Sequence, residues 1–241
     1  MLRMTFIIVV GFPLVVYYTL KLIYYDKHIS KYTEEQRYSL AQRVINLVMK
    51  FGLIQTEVIG TENLPATGGY IMFPNHQGKF DTLGIIHGHD LPCTVMIDKK
   101  KSYSLVVKQI LNIIRASRLD KTSIKTQFGT IMEVIERVKK GARYIIYPEG
   151  GYENNGNELQ EFLPGAFKCA TKSKCPIVPV VIIDSFKVFG LKSIKPVQTK
   201  VFFLEPLYYE EYSSMTTTDI SNKVRDLIST KLHNEINQTE S

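Results

Sequence analysis

Three cysteines in 241 residues, Cys93, Cys169 and Cys175, are too few and too scattered for a disulfide framework. That scarcity fits a reducing compartment, with each thiol read as a small buried side chain. No G-x-S-x-G elbow occurs, which argues against an α/β-hydrolase esterase. A P-loop and a dinucleotide glycine fingerprint are both missing, so nothing marks a nucleotide-phosphate cradle. No basic run is interleaved with aromatics, and no zinc-finger spacing appears, so nucleic acid is not an expected partner. His87, His89 and Asp90 lie close together, but no further ligands accompany them at usable spacing. Neither a metal nor a bound cofactor is expected. Internal repeats and low-complexity stretches are absent too.

The formal net charge is +7, which calls for an anionic partner. With nucleic acid set aside, an anionic lipid surface remains. The N-terminus points the same way. Residues 4–20 form an uncharged apolar run, and 22–25 extend it past Lys21 to about the length a bilayer requires. Tyr17, Tyr18, Tyr24 and Tyr25 suit the interface. No small-residue cleavage site follows, so the run reads as a retained transmembrane or single-leaflet helix, kinked at Pro13. Lys21, Lys27 and Lys31 follow it and only Arg3 precedes it, which places the rest of the chain on the cytoplasmic face. Residues 33–51 read as an amphipathic helix through Leu40, Val44, Leu47, Val48 and Phe51, facing either membrane or core.

From residue 53 onward, apolar strands alternate with helical segments. Strands are predicted at 56–59, 70–73, 94–97, 143–147, 177–183 and 200–204. Helices are predicted at 82–87, 102–115, 122–140, 164–172 and 218–235, with a frayed polar tail after Ile236. In the helix at 122–140, Phe128, Ile131, Ile135 and Val138 form one apolar face, and Gly141 is its stop. The fold class is α/β: a layered fold with a central, mostly parallel or mixed sheet flanked by helices and preceded by an N-terminal membrane-docking helical pair. The expected domains are 1–52, membrane-associated, and 53–241, catalytic.

Two blocks carry chemistry. In Pro74-Asn75-His76-Gln77-Gly78-Lys79-Phe80-Asp81, a histidine and an aspartate stand five positions apart. In a continuous helix such residues point roughly 140° away from each other, so they meet only if the chain bends. Gly78 is the residue expected to ease that bend. A carboxylate holding one ring nitrogen fixes the tautomer and leaves the other free to take a proton from a hydroxyl. The second block is Tyr147-Pro148-Glu149-Gly150-Gly151, a strand end that opens into polar sequence through Asn154, Asn155 and Gly156. Glu149 beside two glycines suits a substrate hydroxyl held close to backbone amides. A third segment, Pro176-Ile177-Val178-Pro179-Val180-Val181, reads as either a shaped strand end near a pocket or an edge strand.

In order and spacing, these blocks resemble the motifs of the glycerolipid acyltransferases of the 1-acylglycerol-3-phosphate acyltransferase type, over roughly residues 60–206. The resemblance implies an acyl-ACP or acyl-CoA donor, a lysophospholipid acceptor and a membrane setting. It assigns His76 as base, Asp81 as its partner, and Glu149 and Gly150 to the acceptor's glycerol. The family's phosphate-binding arginine falls in Ala116-Ser117-Arg118-Leu119-Asp120-Lys121, at Lys121 or alternatively Arg118. The family also carries Thr-Arg after its Pro-Glu-Gly, where this chain has Gly151-Tyr152. Lysine binds phosphate as a point charge, without the guanidinium fork, so an acceptor with another head group, or a lyso-aminolipid, is the alternative. Lys79, inside the His/Asp turn, is placed to meet anionic groups of donor or acceptor. A noncatalytic lipid-binding role is opposed by the intact His76, Asp81 and Glu149.

Overall fold

The computed structural model describes residues 2–103, 105–153 and 155–240. Met1, Ser104, Asn154 and Ser241 lie outside the described residues, and with them one position of the helix predicted at 102–115 and Asn154 of the polar run. The helices are α1 (Leu2–Val10), α2 (Phe12–Lys27), α3 (Glu34–Gly52), α4 (Asp81–His87), α5 (Leu105–Ile113), α6 (Ile124–Lys139), α7 (Lys168–Ser173), α8 (Phe186–Gly190), α9 (Tyr209–Tyr212) and α10 (Thr217–Glu240). The strands are β1 (Ile54–Ile59), β2 (Ile71–Pro74), β3 (Thr94–Asp98), β4 (Ser117–Leu119), β5 (Tyr144–Ile145), β6 (Ile177–Ile183) and β7 (Val197–Phe203).

Among the described residues the strands form one seven-stranded sheet in the order β1-β7-β6-β2-β5-β3-β4. Every neighbouring pair is parallel except β6 with β7, so the sheet is mixed. Both faces are covered. Met72, Val178, Val180 and Ile182 point into a core shared with α2, α3, α4, α5 and α8. Ile71, Phe73, Ile177, Val181 and Ile183 point into the other, shared with α6, α7, α9 and α10. Continuous burial along β6 follows from this double cover.

The sheet also places Pro179. β6 is an interior strand, not an edge. The Leu204 amide donates to the Pro179 carbonyl at 3.0 Å. The return bond that proline cannot make falls where the β6–β7 ladder ends, so little pairing is lost.

The N-terminal run does not form one helix. It breaks at Gly11 into α1 and α2, inclined at 91°, and no single described helix is long and apolar enough to cross a membrane. Pro13, in the first turn of α2, lacks an N–H and crowds the preceding carbonyls, which makes it a good start and a poor continuation. At the break, a side chain on Gly11 would lie 2.9 Å from the Ile7 carbonyl. Helix α1 is anchored to the body by Arg3, which is fully buried. Its guanidinium donates to the carbonyls of Val188 (2.9 Å), Gly52 (2.5 Å) and Lys195 (2.7 Å).

Helix α3 starts at a capping box in which Thr33 and Gln36 bond reciprocally. It buries Leu40 and Val44 with Tyr38, Ala41, Ile45 and Met49, so this face belongs to the core; Leu47, Val48 and Phe51 are half-buried. Helix α6 is capped by Ser123, whose hydroxyl accepts the Thr126 amide, and buries Val134, Ile135 and Val138, but Phe128 is 64% exposed. The expected apolar face therefore meets the core from Ile131 onward, and Phe128 alone lies off it. The last helix runs to Glu240, past the fraying expected after Ile236.

Candidate active site

Strand β2 ends at Pro74, and α4 begins at Asp81. The six residues between turn the chain back at the C-terminal edge of the parallel strands, where α/β sheets place their ligands. The Asp81 carboxylate organises this turn. Its Oδ2 accepts from the Gln77 amide at 2.6 Å, the Gly78 amide at 2.9 Å and His76 Nδ1 at 2.7 Å. Its Oδ1 accepts from the Ser185 hydroxyl at 2.5 Å. Asp81 is 1% exposed. The expected bend is present, but glycine's conformational freedom is not what makes it: Gly78 is absent from the positive-φ glycines. A Cβ there would make only ordinary contact, 3.7 Å from the Phe186 Cα. The carboxylate's grip on two amides holds the turn.

Because Nδ1–H donates to Asp81, His76 Nε2 is the free basic nitrogen, and it has no partner among the described residues. The ring stacks on Tyr147 at 4.0 Å and meets Tyr152 edge-on at 4.7 Å. The Tyr147 hydroxyl is tied to Thr82 at 2.9 Å.

Glu149 lies beneath the histidine. Its Oε1 accepts from the His76 amide at 3.1 Å and its Oε2 from Gln160 Nε2 at 2.7 Å. Burial pushes its carboxyl up to about 7, against the pull of those two donors. Gly150 has φ +71°, and a Cβ on it would lie 2.8 Å from Leu163 Cδ1. The left-handed φ favours glycine here.

Buried amides frame the turn from behind. Asn75 pairs with both backbone groups of Ile182, at 2.9 and 2.7 Å. Gln77 donates to the Ile182 carbonyl and to Asn157, and accepts from the Ser185 amide at 2.9 Å. β2 and β6 are neighbours, so residues about a hundred positions apart meet here.

The other predicted site residues divide. Lys121 reaches the site: its Nζ donates to the Gly150 carbonyl at 2.7 Å and lies 3.7 Å from an Asp98 oxygen. Arg118 is turned toward α5, donating to Ser102 at 3.1 Å and Asn112 at 2.5 Å. Lys79 is exposed, with no hydrogen bond or ion pair among the described residues. The amides of Gln77, Gly78 and Gly150, natural donors to a developing oxyanion, are already engaged, the last with the Tyr147 carbonyl at 3.2 Å. His89 is structural. Buried, it donates from Nδ1 to the Leu91 carbonyl and accepts the Tyr70 hydroxyl at 2.6 Å; burial lowers its pKa to about 4.

Ser185, Gln160 and Asn157 stand in no recognisable motif, and only the β2–β6 pairing brings Ser185 to Asp81. Tyr147 and Tyr152 flank the Pro-Glu-Gly block, and Asn75 and Gln77 sit inside the His/Asp block, so only those four carried a local signal.

An aspartate-held histidine at the strand ends of a layered α/β sheet marks an enzyme site equipped for acid–base chemistry on a hydroxyl. The acyltransferase family model matches residues 55–183, more than half of the chain, and the chain belongs to that family. A 1-acyl-sn-glycerol-3-phosphate acyltransferase of Saccharomyces cerevisiae is 28% identical over 186 residues, covering 74% of this chain and 60% of the yeast protein. A probable enzyme of the same name from Mycoplasma genitalium is 21% identical over 82% of this chain and 78% of its own length. In fold, the chain is similar to the crystal structure of the 1-acyl-sn-glycerophosphate (LPA) acyltransferase of Thermotoga maritima, with a TM-score of 0.79 at 17% identity, covering 97% of this chain and 94% of that one.

Proposed function

We propose that this enzyme moves a fatty acyl group from acyl-ACP or acyl-CoA to the free hydroxyl of 1-acylglycerol 3-phosphate, giving phosphatidic acid. The observation that carries the reading is the 2.7 Å bond from His76 Nδ1 to the buried Asp81, which leaves Nε2 free. Nε2 takes the acceptor's hydroxyl proton as the oxygen attacks the thioester carbonyl. Asp81 stabilises the imidazolium that forms, and this cation faces the tetrahedral oxyanion. As the intermediate collapses, the C–S bond breaks and the thiolate takes the proton from Nε2. No acyl-enzyme is needed.

Glu149 and Gly150 line the acceptor's glycerol. Lys121 exchanges the Gly150 carbonyl for the phosphate, with Arg118 as the alternate cation, and Lys79 meets anionic groups at the rim. Residues 1–52 dock on the bilayer and 53–241 carry catalysis on its cytoplasmic face. A second reading, an acceptor with another head group, is favoured by one observation: Lys121 is already close to Asp98.

The test is purified enzyme in mixed micelles with each donor and a panel of acceptors. Thiol release should depend on lysophosphatidic acid. His76→Ala should lower turnover about 10²–10⁴-fold while the protein stays folded. Near-normal turnover in a folded His76→Ala protein rejects the mechanism. Equal rates across head groups reject the phosphate-bearing acceptor.

A further inference from the structure

Ser185 stands at the N-cap of α8, where a serine hydroxyl ordinarily accepts a backbone amide of the first turn. Here it makes no cap bond. The hydroxyl instead donates to Asp81 Oδ1 at 2.5 Å, in a site where Ser185 is 2% exposed. Of the four bonds Asp81 accepts, three fall on Oδ2, so Ser185 is the partner of Oδ1. The serine is itself fixed: its amide donates to Gln77 Oε1, and the residue before it, Asp184, holds a left-handed φ of +62°.

From this geometry we infer that Ser185 is a positioning residue for acyl transfer, the third member of a Ser185–Asp81–His76 relay that locks the carboxylate plane so that Oδ2 faces the imidazole. The inference rests on the proposed role of His76. Without the hydroxyl, Oδ1 is a buried, unpartnered carboxylate oxygen. The carboxylate then turns about its Cβ–Cγ bond to share the Gln77 and Gly78 amides between its two oxygens, and the histidine loses its fixed direction. Ser185 touches neither substrate, so the loss appears in turnover and not in acceptor binding.

The experiment compares Ser185→Thr with Ser185→Val in the full-length enzyme in mixed micelles, because the two side chains differ by a hydroxyl against a methyl at nearly equal volume. Ser185→Val should lower kcat by about 10- to 100-fold, the range expected for a hydrogen bond to a charged group, with acceptor KM within about two-fold of the parent. Ser185→Thr should restore most of the turnover at matched thermal stability. Equal kcat for Val, Thr and parent, or equal loss in Val and Thr, overturns the assignment. If the valine variant does not fold, Ser185→Cys, a weak donor of similar reach, replaces it and should lose turnover relative to threonine. His76→Ala is the control for the underlying reading. An active His76→Ala removes that reading, whereas an inactive His76→Ala beside a fully active Ser185→Val removes only the relay.

Discussion

At the scale of single residues, Glu149 serves the fold as well as the proposed site. The sequence marks it as a substrate contact, yet both its oxygens are engaged, one on the His76 backbone and one on Gln160. Its carboxyl is held up to about 7 by burial, which gives a sign for its effect on stability. A carboxyl whose folded pKa exceeds its unfolded one favours the fold fully below the unfolded value of about 4.5 and loses that contribution as pH rises through about 7. Stability should therefore fall between pH 5 and 8 by up to on the order of 3 kcal/mol. Glu149→Gln, which has no charge to bury, should flatten that slope and melt higher than the parent at pH 8. Thermal melts across the range check this, and parallel curves for parent and variant reject it. What the sequence exposed at this scale was the pair with a short reach, His76 and Asp81. Ser185 and Gln160 were illegible because nothing local distinguishes a serine carried to the site by a strand pairing, or a glutamine brought back to Glu149 by the loop that follows it.

At the scale of elements, the alternation of apolar strands and helices was enough to place the sheet, since each central strand is buried on both faces and reads as a continuous apolar run. The short pieces were not legible. β4 has three residues and α9 four, too few to show a period. Phe128 misled because helical spacing is the same whether a face meets core, solvent or membrane. The two site turns separate in a testable way. Gly78→Ala should fold and melt within about 1 kcal/mol of the parent, since its Cβ has room and its φ is not left-handed. Gly150→Ala should cost about 1–2 kcal/mol from its left-handed φ, since the exposed Leu163 side chain can move aside. Denaturant melts of both variants measure the difference. An order reversed from this would mean that the His/Asp turn depends on glycine after all.

At the scale of the whole molecule, the two N-terminal helices belong to the body as much as to any membrane. Arg3, Ile7 and Leu22 are buried, and the Arg3 guanidinium satisfies carbonyls from three separate segments. Deleting residues 1–25 would strip those bonds and open the core, so a loss of function on deletion says little about lipid. The opposite faces of the same helices are apolar and in solvent: Val9, Phe12 and Leu20 are each at least 60% exposed. At 1.5 Å per residue, α2 is about 24 Å long and α1 about 14 Å, each short of a hydrocarbon core of about 30 Å. We propose that the pair, bent at 91°, docks on the bilayer through these exposed faces. A combined Val9→Asp, Phe12→Asp and Leu20→Asp variant should then keep the parent's thermal stability and lose vesicle binding. It should also lose turnover on long-chain acceptors held in bilayers more than on short, monomeric ones. Burying one such side chain is worth about 1.5–3 kcal/mol, so three together should lower partitioning by more than about 10³-fold. Sedimentation with anionic vesicles, beside a melting curve, reads both effects. A stable triple variant that still pellets with vesicles would move the attachment to another surface of the protein and leave the exposed apolar faces of α1 and α2 without a membrane role.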